Sequence, residues 1–113
     1  VAGLSVEEFE EQVLAVCAAS FRIKSIAEMN TGLTWLQLRA YLFDESFIDV
    51  FYNQQSGKIT FAQIRENRRI FGADNKKGWH WHPLEDPGKH LFVETEISFA
   101  EFLRQVEDHL NQP

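Results

Sequence analysis

The run Leu33-Thr-Trp-Leu-Gln-Leu-Arg-Ala-Tyr-Leu-Phe43 decides the fold class. Leu36, Leu38, Ala40 and Leu42 fall on one side of an extended chain, and Trp35, Gln37, Arg39, Tyr41 and Phe43 on the other. Successive side chains of a strand point to opposite faces, so this alternation marks a strand with one apolar face. Strand-type sequence continues on both sides. Phe21 to Asn30 precedes it, ended by Thr31-Gly32. Ser46 to Tyr52 follows across the short Asp44-Glu45 connection, then Lys58 to Arg65 after the Asn53–Gly57 turn, and Arg69 to Ala73 after Glu66-Asn67-Arg68. Connections this short join antiparallel neighbours, not parallel strands with crossovers.

Helices close the two ends. Ser5-Val-Glu-Glu8 and Ser98-Phe-Ala-Glu101 each place Ser at the N-cap with Glu three residues on, the capping-box pattern. Val6, Phe9, Val13, Val16 and Cys17 recur at helical spacing after the first, and Phe99, Phe102, Leu103, Val106 and Leu110 after the second. The expectation is one α+β domain over residues 1–113: an N-terminal helix, an antiparallel meander of five to six strands, and a C-terminal helix, with both helices packed on one sheet face. The other face is then expected to carry Trp35, Arg39, Tyr41, Phe47, Asp49, Phe51 and Phe61. So aromatic a face calls for a cover, either the 74–90 loop or a second subunit, or else serves as a base-stacking platform. A homodimer is the expected assembly.

Composition narrows the function classes. Cys17 is the single cysteine and lies in the apolar run Val13–Ala19, as a small buried hydrophobe would. No disulfide framework argues for secretion, no run is long enough to span a membrane, and the first residues do not read as a signal peptide. A cytoplasmic protein with no membrane partner is expected. The net charge of −6 speaks against indiscriminate nucleic-acid binding, but it is unevenly spread. Residues 1–57 hold three basic and eight acidic groups, and residues 90–113 hold one and five. Residues 58–89 hold seven basic against four acidic groups, the one positive part of the chain.

That positive part contains Arg68-Arg-Ile-Phe-Gly-Ala-Asp-Asn-Lys-Lys-Gly-Trp-His-Trp-His-Pro83, with Lys89-His90 soon after. Gly- and Pro-rich segments crowded with imidazoles and cations are more often functional loops than core. His80 and His82 share one side of an extended segment, and Trp79 and Trp81 share the other. Such a pair suits a general acid and base, an anion site, a metal with Asp74 or His90 as third ligand, or plain structural packing. Arg68, Arg69 and Lys76 are placed to hold phosphate, and a nearby imidazole can move protons as RNA cleavage requires. The sequence lacks a phosphate-binding P-loop, a dinucleotide glycine fingerprint and a nucleophile elbow, and no cofactor is expected.

The same residues resemble a known family. Leu38-Arg-Ala-Tyr-Leu-Phe-Asp-Glu-Ser-Phe-Ile-Asp-Val-Phe-Tyr-Asn53 resembles the central hairpin of the TumE-like proteins, a strand of type L-x-x-x-L-x-D-G-S followed by strand-type residues with an aromatic. Ile70-Phe-Gly-Ala-Asp-Asn75 resembles the family's aromatic-x-x-Asp-Asn stretch, and Trp79-His-Trp-His-Pro83 with Lys89-His90 resembles its histidine-rich segment. The likeness covers roughly residues 33–103. It implies a toxin-like protein of a two-gene toxin–antitoxin module, paired with a helix-turn-helix antitoxin, and it singles out Asp74, Asn75, His80, His82 and His90 without supplying their roles. Two departures stand out: Glu45 replaces a turn glycine, and Trp79 and Trp81 interrupt a His-His-Pro pattern. The resulting expectation is a toxin-like protein acting on RNA, with His80, His82 and Asp74 catalytic and Arg68, Arg69, Asn75, Lys76 and His90 on the substrate. The alternative is a non-catalytic interaction or dimerisation domain.

Overall fold

The structure, a computed structural model, describes residues 3–112. Helix α1 (Val6–Ala18) is followed by strands β1 (Ile23–Thr31), β2 (Trp35–Leu42), β3 (Phe47–Asn53), β4 (Ile59–Arg65), β5 (Arg68–Asp74), β6 (His80–His82) and β7 (Leu91–Phe92), then helix α2 (Phe99–Leu110). The strands form a seven-stranded antiparallel sheet in sequence order. The meander is longer than the five to six strands expected, because the histidine segment itself extends the sheet as β6 and the two-residue β7.

Local chemistry sets the boundaries. Ser5 Oγ accepts from the Glu8 N–H at 3.1 Å while the Glu8 carboxylate accepts from the Ser5 N–H at 2.9 Å, a complete capping box. Ser98 Oγ accepts from the Glu101 N–H at 3.1 Å and starts α2. The β4–β5 hairpin turns in two residues, Glu66 (φ 52°) and Asn67 (φ 63°), both left-handed as the twist of a tight hairpin demands. Arg68 is therefore in β5, not in the turn. Glu45, standing where the resembling family has glycine, takes φ 71°. β1 starts at Ile23, leaving Phe21 exposed.

Burial in β2 alternates as the leucine pattern requires, with Leu36, Leu38, Ala40 and Leu42 inward. Ile48, Val50, Phe71 and Ala73 join them from the neighbouring strands, and both helices lie on this face. Phe9 of α1 stacks on Tyr52 at 4.4 Å, and Phe102 of α2 packs on Phe61 and Phe71 at 5.4 and 5.2 Å. Phe61 thus corrects the expectation that placed it on the opposite face. It pairs with Val50, paired residues share a side, and it is 1% exposed beneath α2. Cys17 is buried as expected, and burial pushes its thiol up to about 11, so it is inert at neutral pH. Among the described residues no helix is long and apolar enough to cross a membrane.

One polar chain runs under α2. His109 Nε2 lies 2.8 Å from Gln63 Oε1, Gln63 Nε2 donates to Ser46 Oγ at 3.1 Å, and Ser46 Oγ donates to Asp44 Oδ1 at 2.6 Å. Asp44 also pairs with Arg65. Gln63 and Ser46 are both fully buried, so each bond satisfies a group that water cannot reach. Burial, reinforced by the Arg65 charge, lowers the His109 pKa against smaller opposing effects of Asp44 and Asp108. The folded state then prefers neutral His109. Its contribution is complete above about 6.5, the usual imidazole value, and is lost as pH falls through the depressed folded value. Urea denaturation from pH 7.5 to 5 should show a decline in stability that is shallower in His109→Gln. Gln63→Ala, which strands buried Ser46 and half-buried His109, should cost about 1–3 kcal/mol in the same assay.

Candidate functional site

The site is set by the pairing of β5 with β6. Asp74 opposes His80, Gly72 opposes His82, and Ala73 opposes Trp81. Trp81 therefore points to the helix side, stacking on Phe71 at 5.5 Å, while Asp74, His80 and His82 share the helix-free side. The turn between the strands needs left-handed backbone at Lys77 (φ 58°) and Gly78 (φ 109°). Gly72 leaves room for the cluster: a Cβ there would meet Arg69 Cδ at 3.0 Å, the Phe61 carbonyl oxygen at 3.1 Å and His82 Cδ2 at 3.5 Å.

Asp74 bridges the two imidazoles. Its Oδ2 lies 2.9 Å from His82 Nε2, and its Oδ1 lies 3.4 Å from His80 Nε2. His80 Nδ1 lies 2.9 Å from the Gly78 carbonyl oxygen and donates to it. The chain then returns through residues 83–90, and His90 stacks on His80 at 4.8 Å between ring centres and meets His82 edge-on at 4.9 Å. One ring nitrogen from each histidine lies within 4.8 Å of the others. His80 and His82 are only 3% and 4% exposed, whereas His90 faces solvent. His82 Nδ1 is buried with no hydrogen-bond partner. Burial alone would raise the Asp74 carboxyl, but hydrogen bonds from His82 and the Lys76 N–H, with the pull of either imidazole whenever it is protonated, hold it below its usual value.

The remaining expected residues separate. Arg69 stands beside the cluster and donates to the Pro87 carbonyl oxygen at 3.0 Å, tying down the returning loop. Arg68 and Lys76 are exposed at opposite ends of β5, and the Lys76 N–H donates to Asp74 Oδ1 at 2.9 Å. Asn75 is not brought into the cluster. Its Oδ1 accepts from the Ile59 N–H at 2.9 Å and its Nδ2 donates to the Gly57 carbonyl oxygen at 2.8 Å, so the side chain fastens β4. Sequence reasoning passed over Gly72 and Phe92. A glycine inside a strand was the available signal for the first, since it marks a close approach. Phe92, which packs on His80 at 4.8 Å, had none.

The cluster ends a continuous row. Gln37, Phe51, Thr60, Asp74, His80 and Phe92 are successive cross-strand partners over six strands. The parallel row runs Arg39, Asp49, Ala62, Gly72, His82. Trp35, Tyr41 and Phe47 flank these rows, with Arg39 over the Phe47 ring at 4.4 Å and Lys58 over Phe51 at 5.9 Å. The returning loop covers the histidine end of this face, and the aromatic end stays partly exposed. Compared with known proteins, the chain matches no family model, no curated protein and no solved structure.

Gly72→Ala tests the packing that supports the cluster. The added methyl must displace Arg69 or the β4 backbone, at a cost of about 1–3 kcal/mol in urea denaturation. The His82 imidazole resonances should shift while those of His109 stay in place.

Proposed function

We propose that this protein acts on RNA, as the toxin-like member of a two-gene toxin–antitoxin module. The observation that carries the reading is the continuous face from Trp35 and Phe51 to Asp74 and the three imidazoles. Flat aromatic rings with interleaved cations accept stacked bases and a phosphate chain, whatever the base sequence. A strand laid along the row would bring a phosphodiester to the cluster, with Arg69 at its edge and Arg68 and Lys76 further out. There Asp74, His80 and His82 form the catalytic set, and His90 is the imidazole that meets substrate from the solvent side. The likeness to TumE-like proteins points the same way and names the partner class, a helix-turn-helix antitoxin acting in the cytoplasm.

One observation favours a second reading. His80 and His82 are buried, and His80 is bonded to backbone, as side chains of a packing cluster would be. On that reading the open aromatic face receives a protein, a second copy of this chain included, and no chemistry follows.

The two readings give different results. Under the first, expression slows growth, the purified protein shortens single-stranded RNA, and Trp35→Ala or Phe51→Ala weakens RNA binding about 5- to 150-fold, as expected for loss of one stacked base. Fluorescence anisotropy with a labelled oligonucleotide reads the binding. Intact RNA, unimpeded growth and a sedimentation mass that Phe51→Glu halves would establish the second reading instead.

A further inference from the structure

We propose that His80, His82 and His90 form a three-imidazole site for a divalent transition metal of the zinc class, with Asp74 as the carboxylate beside it. The donor set is the first argument. Three imidazoles on one side of the sheet select zinc and its neighbours over magnesium or calcium, which take oxygen ligands.

Tautomers are the second argument. The Gly78 carbonyl holds the proton of His80 on Nδ1, which leaves the lone pair on Nε2. Asp74 Oδ2, at 2.9 Å, holds the proton of His82 on Nε2, which leaves the lone pair on Nδ1. Metal-binding histidines are held in this way, with the second ring nitrogen donating to a carbonyl or carboxylate. Both rings are largely buried, and His82 Nδ1 is fully so. His82 Nδ1 has no hydrogen-bond partner among the described residues, and Asp74 Oδ1 faces His80 Nε2 at 3.4 Å. With His80 neutral, two lone-pair atoms are opposed at that distance, an arrangement that a cation bound by the imidazoles relieves. The half-buried His109, bonded to Gln63, leaves no such deficit.

Geometry is the third argument. In a tetrahedral shell with metal–nitrogen bonds of about 2.0–2.1 Å, donors lie about 3.3 Å apart. One nitrogen of each ring lies within 4.8 Å of one nitrogen of each of the other two. The longest gap must therefore close by about 1.5 Å. His80 and His82 lie in β6, and His90 is exposed at the end of the 83–90 loop, so the gaps to His90 are the ones that loop adjustment can shorten. The inference is independent of the RNA reading, since metal uptake is measured without RNA.

The test is calorimetric titration of tag-free, chelator-stripped protein with zinc chloride, repeated with cobalt(II) to read the visible absorption of a low-coordinate nitrogen site. One equivalent should bind, the thermal midpoint should rise, and the cobalt spectrum should appear. His90→Ala and His82→Gln should each weaken uptake at least tenfold, and His109→Gln should leave it unchanged. If buried His82→Gln does not fold by circular dichroism, exposed His90→Ala decides alone. Absence of saturable one-to-one uptake, or uptake indifferent to His90→Ala, overturns the proposal.

Discussion

The in-phase pairing of β2 through β6 is the constraint from which the other features follow. Side chains of a strand alternate between faces, so a slip of one residue at any ladder would exchange core for surface on every strand beyond it. Several devices hold the phase. The two-residue Glu66–Asn67 turn admits one register for β4 and β5. Asn75 bonds the Ile59 N–H and the Gly57 carbonyl oxygen, locking the start of β4 to the end of β5. The irregularity between Gln63 and Ile64 is confined to the hairpin end, and those in β1 lie at the sheet edge, where they disturb no further ladder. Trp81 is then driven under α2, beside Phe71 and Phe102, by its apolar area. Since Trp81 must go inward, His80 and His82 must go outward. Core packing places the imidazoles.

How much of this was legible depends on whether the cause was local. The strand alternation of Leu36 to Leu42 and the capping serines are local, and they appear as read. So is the division of Trp79 and Trp81 from His80 and His82, because it needs only an extended backbone. Phe61 was misplaced because its side depends on how the Asn53–Lys58 connection is counted, and only pairing with Val50 settles that. The burial of His80 and His82 depends on residues 83–92 coming back across them, a long-range return no periodicity announces. Gln63 and His109 meet from 46 residues apart, and a glutamine in a strand gives no warning of it.

The protein buries polar groups in two different ways. From His109 through Gln63 and Ser46 to Asp44, each buried partner meets another, and the chain ends at Arg65 near the surface. At the imidazole cluster the accounting does not close, for His82 Nδ1 is left alone. Leaving such a group unsatisfied costs about 1–3 kcal/mol, a sizeable part of the stability of a small domain. A sequence that solves the problem fully at one end of the sheet and leaves it open at the other has a local rule broken where function is expected to sit. Burial also changes what these imidazoles can do. A buried lone pair with no hydrogen-bond donor facing it is well placed to hold a cation.

The open half of the helix-free face raises a different question, which is why so aromatic a surface is tolerated. Part of the answer lies in its charges. Arg39 lies over Phe47 and pairs with Asp49 at 3.4 Å, Gln37 donates to Asp49 at 3.2 Å, and Lys58 lies over Phe51. Charges set among apolar residues on a sheet discourage indiscriminate association, because burying them against another protein removes their water. A second copy pressed on this face would have to desolvate the Arg39–Asp49 pair and recover that cost through aromatic contact alone. A single nucleic-acid strand makes a smaller demand. Its bases would cover the rings while its phosphates stayed hydrated and close to Arg39 and Lys58. The same interleaving of ring and charge that opposes a flat protein partner is therefore matched by a polymer with flat apolar groups on a charged backbone.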